Sequence, residues 1–220
     1  MMPPRGALAA LVFACFVLVQ PTAAQNRGTP GKFDFYVLAL SWAPSYCEAE
    51  GDQRKGDEQC SGRPYAFVVH GLWPQYERGF PRSCVTPAPY VPNSVIDSAL
   101  DLMPARGLVI HQWRTHGTCS GLEVRRYFDA VRAARERIEI PERFRRLTTY
   151  TMVSPSEVEQ AFLAANPQLP SDAVSVTCDD RRLREVRICL STDFSFRACA
   201  ENERRTCRTP RVVMPPVRGG

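Results

Sequence analysis

All three histidines of the chain lie in two short segments that are rich in tryptophan and glycine. His111 and His116 fall within HQWRTHGTC (111–119), and His70 falls within FVVHGLWPQ (67–75). Because imidazole titrates near neutral pH, one histidine can accept a proton while a second donates one. The two segments therefore predict a site for general acid–base catalysis.

Paired imidazoles are suited to the cleavage of RNA without a metal ion. A base must take the proton of the ribose 2′-hydroxyl, an acid must protonate the departing 5′-oxygen, and a third group must stabilise the charge that grows on the phosphorane. The nearby tryptophans offer stacking surfaces for bases. Simpler interpretations stay open at this point, since each histidine could be structural and the tryptophans could belong to the core. His111 and His116 could also bind a metal ion, although two histidines five residues apart suit one ion less well than two histidines four residues apart.

Strands and helices must position these residues. KFDFYVLALSW (32–42) and AFVV (66–69) have the apolar runs of buried strands, and we expect the second strand to end at His70. VSVTCDDRRLREVRICLS (174–191) alternates like the two strands of a β-hairpin. Residues 76–92 contain four prolines and should form a loop.

Helical spacing occurs in four segments: NSVIDSALDLM (93–103), HQWRTHGTC, EVRRYFDAVRAARERI (123–138) and SPSEVEQAFLAAN (154–166), the last of which opens with a capping box from Ser154 to Glu157. In a helix, positions 111, 112, 115 and 116 lie within about 140° of one face, while Trp113 points toward a core. The tail from about residue 208 to residue 220 is predicted to be poorly ordered.

The N-terminal segment resembles a secretory signal peptide. Arg5 precedes the apolar run ALAALVFACFVLV (7–19), and small residues precede Gln25. The run is too short to span a bilayer. We therefore predict a signal peptide over residues 1–24, a single catalytic domain over residues 25–220, and a secreted or periplasmic protein without membrane contact after cleavage.

The cysteine content supports export. Nine cysteines are present, and Cys15 would leave with the signal peptide. The remaining cysteines are even in number and show no CxxC spacing, which favours four disulfides over a metal site. Spacing alone leaves about 105 pairings open.

The charge balance is mildly basic. The net charge is +5, from 28 Lys and Arg against 23 Asp and Glu, and Arg5 would leave with the signal peptide. This is compatible with a polyanionic substrate without requiring one. The absence of an N-x-S/T acceptor favours a bacterial source over a glycosylated eukaryotic one.

Three segments in order resemble the ribonuclease T2 family: SWAPSYC (41–47), HGLWPQ (70–75) and HQWRTHGTC. The resemblance covers residues 33–207 and implies an α+β fold, with a central antiparallel sheet, flanking helices and four disulfides. It also implies a metal-independent endoribonuclease that has no cofactor and cleaves single-stranded RNA with weak base preference. We further expect a monomer whose partner is its RNA substrate.

The resemblance also implies roles for individual residues. His116 matches the general base, His70 the general acid and His111 the histidine that holds the phosphate, so that the products are a 2′,3′-cyclic phosphate and a 5′-hydroxyl, followed by slow opening to a 3′-phosphate. Trp73 matches a tryptophan near the base-binding pocket, and a position in the wall of the core is the alternative. The implied disulfides are Cys47–Cys60, Cys84–Cys119, Cys178–Cys207 and Cys189–Cys199.

This chain departs from the family pattern beside the phosphate. It has Gln112 and Thr115 where relatives usually carry glutamate and lysine. We expect the Gln112 amide to donate a hydrogen bond to a phosphoryl oxygen at any pH, and Arg114 is the neighbour that could replace the lost cation. Gln75 lies where relatives often carry a residue that helps to read the base, and we expect Trp73, Thr115 and Gln75 to contact the substrate. These departures leave open a catalytically weakened, secreted RNA-binding protein of the same fold, whereas an unrelated disulfide-rich binding module would need the segments to match by chance.

Overall fold

The computed structural model describes residues 28–50, 56–61, 63–200 and 207–218. Its six strands are β1 Phe35–Trp42, β2 Phe67–Gln75, β3 Thr151–Val153, β4 Val174–Cys178, β5 Leu183–Leu190 and β6 Val212–Met214. The main sheet has the order β2-β1-β5-β4 with antiparallel pairing throughout, and β3 pairs with β6 in a second, two-stranded sheet.

The helices flank the main sheet and follow the predicted order. They are α1 Ala43–Ala49, α2 Asn93–Ala99, α3 Arg106–Thr115, α4 Val124–Glu136, α5 Glu142–Arg145 and α6 Pro155–Ala165, with a short 3-10 helix over Gly117–Cys119. The prediction of an α+β fold with an antiparallel sheet, flanking helices and four disulfides is confirmed.

Side-chain alternation along β1 gives the main sheet two different faces. Tyr36, Leu38, Leu40 and Trp42 belong to the large core that also includes buried residues of the helices. Phe35, Val37 and Ala39 lie on the opposite face, in a smaller cluster with Trp73 and Cys189. Of the residues described below, Trp73, Glu185 and Arg187 lie on this second face.

Two local predictions are confirmed in detail. Ser154 caps α6, because its Oγ accepts a hydrogen bond from the Glu157 amide at 3.2 Å while the Glu157 carboxylate accepts one from the Ser154 amide. The antiparallel pair of β4 and β5 forms the predicted hairpin. The helix predicted over residues 93–103 is shorter and ends at Ala99.

The prediction of a poorly ordered tail is wrong for residues 208–218. Val212 and Met214 of β6 are fully buried, and the indole of Trp42 donates to the carbonyl of Pro215 at 3.1 Å. The Val217 amide donates to the Leu147 carbonyl at 2.7 Å. The apolar pattern VVM was too short to be identified as a strand, but pairing with β3 supplies backbone partners that no local signal reveals.

Four disulfides join Cys47 to Cys60, Cys84 to Cys119, Cys178 to Cys207 and Cys189 to Cys199. These are the pairs that the family resemblance implies. Closing loops of this size typically stabilises a protein by about 2–4 kcal/mol per bond.

The predicted signal peptide (1–24) lies outside the described residues, and the single domain over 25–220 stays a prediction. Within the described ranges, no helix combines the length and the apolar character needed to cross a membrane.

Candidate active site

His70 occupies a β-bulge in the interior of β2. Ala39 pairs with Gly71 and the next residue, Leu40, pairs with Val69, so His70 has no partner on β1. The strand continues to Gln75, and the prediction that it ends at His70 is therefore wrong. A bulge redirects the side chain of the extra residue, and the His70 side chain remains 38% exposed.

The end of α3 positions the other two histidines. His111 lies in the second half of the helix, and His116 is the C-cap residue whose amide donates to the Gln112 carbonyl at 3.0 Å. Trp113 is buried on the opposite side, as predicted, and its indole donates to the Pro89 carbonyl at 3.0 Å. A methyl group at Gly117 would lie 2.5 Å from the Trp113 ring, so only glycine permits this close packing after the helix.

Trp73 lies between His70 of β2 and His116 at the end of α3. Its ring stacks on His116 at 5.3 Å between centroids and 30° between planes. The His70 ring meets it edge-on at 5.2 Å and 81°. Trp73 is only 9% exposed and belongs to the smaller cluster of the sheet, and its ring separates the two imidazoles.

The surroundings of His116 favour its neutral form. Burial, followed by the positive charges of His111, His70 and Arg82, lowers the pKa of His116 to about 3. Desolvation, His70 and Arg82 also lower the pKa of His111 below its ordinary value. The Nδ1 atom of His116 is buried, which leaves Nε2 as the nitrogen that can reach a ligand.

Gln112 does not lie open to a phosphate. The residue is completely buried, and its Oε1 accepts a hydrogen bond from the Trp73 indole at 2.8 Å. Its Nε2 is buried and has no hydrogen-bond partner among the described residues. The predicted role as a direct donor to the phosphate does not fit this burial, and the observed contact instead fixes Trp73.

Thr115 and Gln75 are also buried, at 7% and 3% exposure. The Thr115 carbonyl accepts a hydrogen bond from the Ser83 amide at 2.8 Å, and the Gln75 Oε1 is buried. Neither side chain is open to a ligand, so the prediction that both bind substrate does not fit the structure. The sequence pattern placed them near the site, but inward-facing positions of the helix and strand hide them.

A cation reaches the site from a loop that the sequence did not implicate. The hydrogen bond from Ser83 to Thr115 and the disulfide from Cys84 to Cys119 fasten this loop to the end of α3. Arg82 precedes both anchors, and its charge contributes to the lowered pKa values of His111 and His116. Arg114, the expected replacement for the family lysine, is exposed and makes no such contribution.

Sequence reasoning also missed two charged residues of β5. The Glu185 carboxylate is buried and lies 2.5 Å from the Nδ1 of His70, and its second oxygen accepts a hydrogen bond from the Arg187 Nε at 3.0 Å. In the sequence the two residues alternate with Val186 and Ile188, a pattern that predicts a solvent-exposed face of the strand. The sequence feature that could have indicated this burial is Cys189, which lies on the same face of β5 and is buried.

Within the described ranges, no group of three or more His, Cys, Asp or Glu side chains could hold a metal ion. The cluster offers imidazoles, a guanidinium and one paired carboxylate. These groups can transfer protons and stabilise negative charge on a bound anion.

Comparison with known proteins agrees with this geometry. The model of the Ribonuclease T2 family matches residues 33–199. The chain is 33% identical over 214 residues to a ribonuclease of Aeromonas hydrophila, and the match covers 88% of each chain.

Two solved structures share the fold. RNase NT, in complex with 5′-AMP, has a TM-score of 0.66 at 22% identity, over 84% of this chain and 99% of that chain. An RNase-related protein from Calystegia sepium has a TM-score of 0.69 at 18% identity, over 85% of this chain and 99% of that chain. The chain belongs to the ribonuclease T2 family and is a T2-type endoribonuclease.

Proposed function

We propose that this ribonuclease cleaves RNA by transphosphorylation, with His116 as general base and His70 as general acid. The proposal depends mainly on one observation: the two imidazoles flank Trp73 in opposite electrostatic surroundings. His116 is buried among positive charges, whereas His70 contacts a buried carboxylate. A neutral base and a protonated acid are the pair that the reaction requires.

In the proposed first step, His116 takes the proton of the ribose 2′-hydroxyl as the 2′-oxygen bonds to phosphorus. The bond from phosphorus to the 5′-oxygen breaks, and His70 gives its proton to that oxygen. The products are a 2′,3′-cyclic phosphate and a 5′-hydroxyl, and water then slowly opens the ring to a 3′-phosphate. His111 holds the phosphate, and the proton transfers themselves need no cofactor.

We further propose that the leaving nucleoside binds in a cavity of about 540 Å³. His70 and His111 line it together with Tyr46, Asp57, Leu108 and Glu185, whereas His116 lies outside it. We place the 5′-linked nucleoside there because the general acid must reach its oxygen. The complex of RNase NT with 5′-AMP shows that a protein of this fold binds a nucleotide. Single-stranded RNA as substrate and weak base preference are retained as predictions.

Incubation of the purified, oxidised protein with yeast RNA and EDTA tests the mechanism. We expect acid-soluble fragments with cyclic phosphate ends. Binding without cleavage would instead support the weakened RNA-binding protein, against which the retained arrangement of three histidines argues.

The acid side of the pH profile provides a second test. Because burial and neighbouring charges lower the pKa of His116 to about 3, the base stays unprotonated below the usual histidine range. We expect kcat/KM to be retained as the pH falls through 6 and to decline only as it approaches about 3. Circular dichroism at each pH controls for unfolding, and a decline centred near 6.5 in folded protein would contradict the proposed base.

We propose that Arg82 supplies the positive charge that relatives place at position 115. Arg82→Gln should lower kcat/KM about tenfold, because an exposed guanidinium stabilises the phosphorane partly through water. It should also move the acid limb of the pH profile to higher pH, since one charge that lowers the pKa of His116 is lost. Arg114→Gln, on the exposed side of α3, is the matched control and should change neither quantity. Equal effects of the two variants would refute the assignment.

We also propose that the protein acts outside the cytoplasm, in the periplasm or the medium. Its four disulfides are stable in an oxidising compartment. A monomeric state stays a prediction.

A further inference from the structure

Glu185 is a buried acid that touches the proposed general acid. The residue is 8% exposed, and its Oε1 lies 2.5 Å from the Nδ1 of His70. The second carboxylate oxygen accepts hydrogen bonds from Arg187 at 3.0 Å to Nε and 2.9 Å to a terminal nitrogen. A buried carboxylate is costly unless it is paired, and here both of its oxygens are paired.

The sheet register explains how residues of β5 reach the histidine of β2. The strand β1 lies between them, and its Ser41 pairs with Glu185 while its Ala39 pairs with both Arg187 and Gly71. The side chains opposite each other in an antiparallel sheet share a face. Ala39 is small, and the bulge at His70 redirects the imidazole, so the contact passes over β1.

The carboxylate is charged throughout the working range of a histidine. Burial would raise the pKa of Glu185, but the hydrogen bond and charge of His70, together with Arg187, outweigh that effect and lower it to about 2. A carboxylate at this distance accepts a hydrogen bond from the Nδ1–H of His70, which fixes the orientation of the imidazole ring.

Arg187 extends the contact to the other half of the site. Its guanidinium lies 5.1 Å from the centroid of the Trp73 ring, and the same ring stacks on His116. The ion pair of β5 thus supports His70 directly and contacts the residue that positions His116.

We propose that Glu185 is a positioning residue that orients His70 through Nδ1, so that Nε2 carries the proton given to the 5′-oxygen, and that Arg187 holds Glu185 in place. This inference rests on the proposed assignment of His70 as general acid. Several other charged groups also face the His70 region: Glu50, Asp57, Arg82, Arg184, His111 and His116.

A change of leaving group tests the proposal. Glu185→Gln preserves the shape of the side chain but removes the anion, and we expect kcat on a dinucleoside monophosphate such as UpA to fall about 10- to 10²-fold. Cleavage of uridine 3′-(4-nitrophenyl phosphate) should change less than about threefold, because nitrophenolate departs without a proton from an acid.

A matched control is Glu77→Gln, which removes an exposed carboxylate paired with Arg197 at 2.7 Å and should leave both substrates unaffected. If Glu185→Gln does not fold, Arg187→Gln offers the same leaving-group signature at smaller amplitude. Equal losses on both substrates would show a merely structural role and overturn the proposal, as would an unchanged rate on UpA.

His70→Ala, measured in parallel, separates this inference from the proposed function. If His70→Ala loses activity on UpA while Glu185→Gln keeps it, only the role of Glu185 is overturned. If His70→Ala itself cleaves UpA normally, the assignment of the general acid is wrong and the role of Glu185 falls with it.

Discussion

His116→Ala is expected to lower kcat/KM on RNA by about 10²- to 10⁴-fold, the usual contribution of a general base. The loss should be as large on uridine 3′-(4-nitrophenyl phosphate), because the 2′-hydroxyl must lose its proton whichever group departs. His70→Ala should cause a comparable loss on RNA but a much smaller one on the nitrophenyl ester. The contrast assigns base and acid separately.

Burial supports this assignment of roles. His116 stacks on Trp73 and has a pKa lowered to about 3 by desolvation and positive neighbours, so it is unprotonated and ready to accept a proton. His70 is 38% exposed, lines the cavity and contacts an anion. If the nitrophenyl ester rescued His116→Ala instead of His70→Ala, the two roles would be reversed.

Thermal unfolding provides the control for both variants. His116 is partly buried and stacks on Trp73, so its replacement by alanine leaves a small space beside that ring. Both variants should nevertheless unfold cooperatively, since the main core lies on the other face of the sheet. A variant that is already unfolded at the assay temperature would not test catalysis, and His116→Gln would then replace it.

Local sequence patterns predicted the elements whose structure depends on near neighbours. The capping box of Ser154 and Glu157 needs only four consecutive residues, and the hairpin of β4 and β5 needs only alternation around a polar turn. Helical geometry predicted that Trp113 faces the core, but Gln112 and Thr115, which were assigned to the same face as the histidines, are buried. The family resemblance added the order of the segments and the disulfide pairs.

The parts that could not be predicted depend on contacts between distant segments. The bulge at His70 arises from the register with β1, and the burial of Glu185 arises from a histidine 115 residues away. No local signal shows that a charged residue on a strand faces a partner two strands away. The same limit explains Arg82, whose loop is fastened to α3 only in the folded chain.

The structure also changes the meaning of the family departure at position 112. The amide of Gln112 is completely buried and accepts a hydrogen bond from Trp73, so its observed contact is with the residue that lies between the histidines. An uncharged side chain suits that environment, because a buried carboxylate would require a paired cation.

Gly71→Ala is expected to displace Trp73, the residue that lies between His70 and His116. The added methyl group would lie 2.1 Å from Nε1 of Trp73 and 2.3 Å from Oε1 of Gln112, closer than any real contact. The indole cannot yield easily, because it stacks on His116 and packs against the small cluster of the sheet. We therefore expect the Trp73–Gln112 hydrogen bond to break and His116 to shift.

A misplacement of about 1 Å in a catalytic group can cost about 10²-fold in rate, and we expect a loss of that size in kcat for Gly71→Ala. Overpacking should also cost about 1–3 kcal/mol in the free energy of unfolding. Because the base is displaced, the loss should be similar on RNA and on the nitrophenyl ester, which distinguishes it from the pattern expected for Glu185→Gln.

Gly79→Ala is the matched control for this prediction. Gly79 lies in the exposed turn after β2 with a φ of +81°, and an added methyl group there would meet no atom within 4 Å. The change should lower the free energy of unfolding by about 1–2 kcal/mol through backbone strain but leave kcat nearly unaltered, because this turn does not line the cavity beside His70. A Gly71→Ala protein as active as Gly79→Ala would show that Trp73 can move freely, and would remove the argument that a rigid Trp73 sets the two histidines.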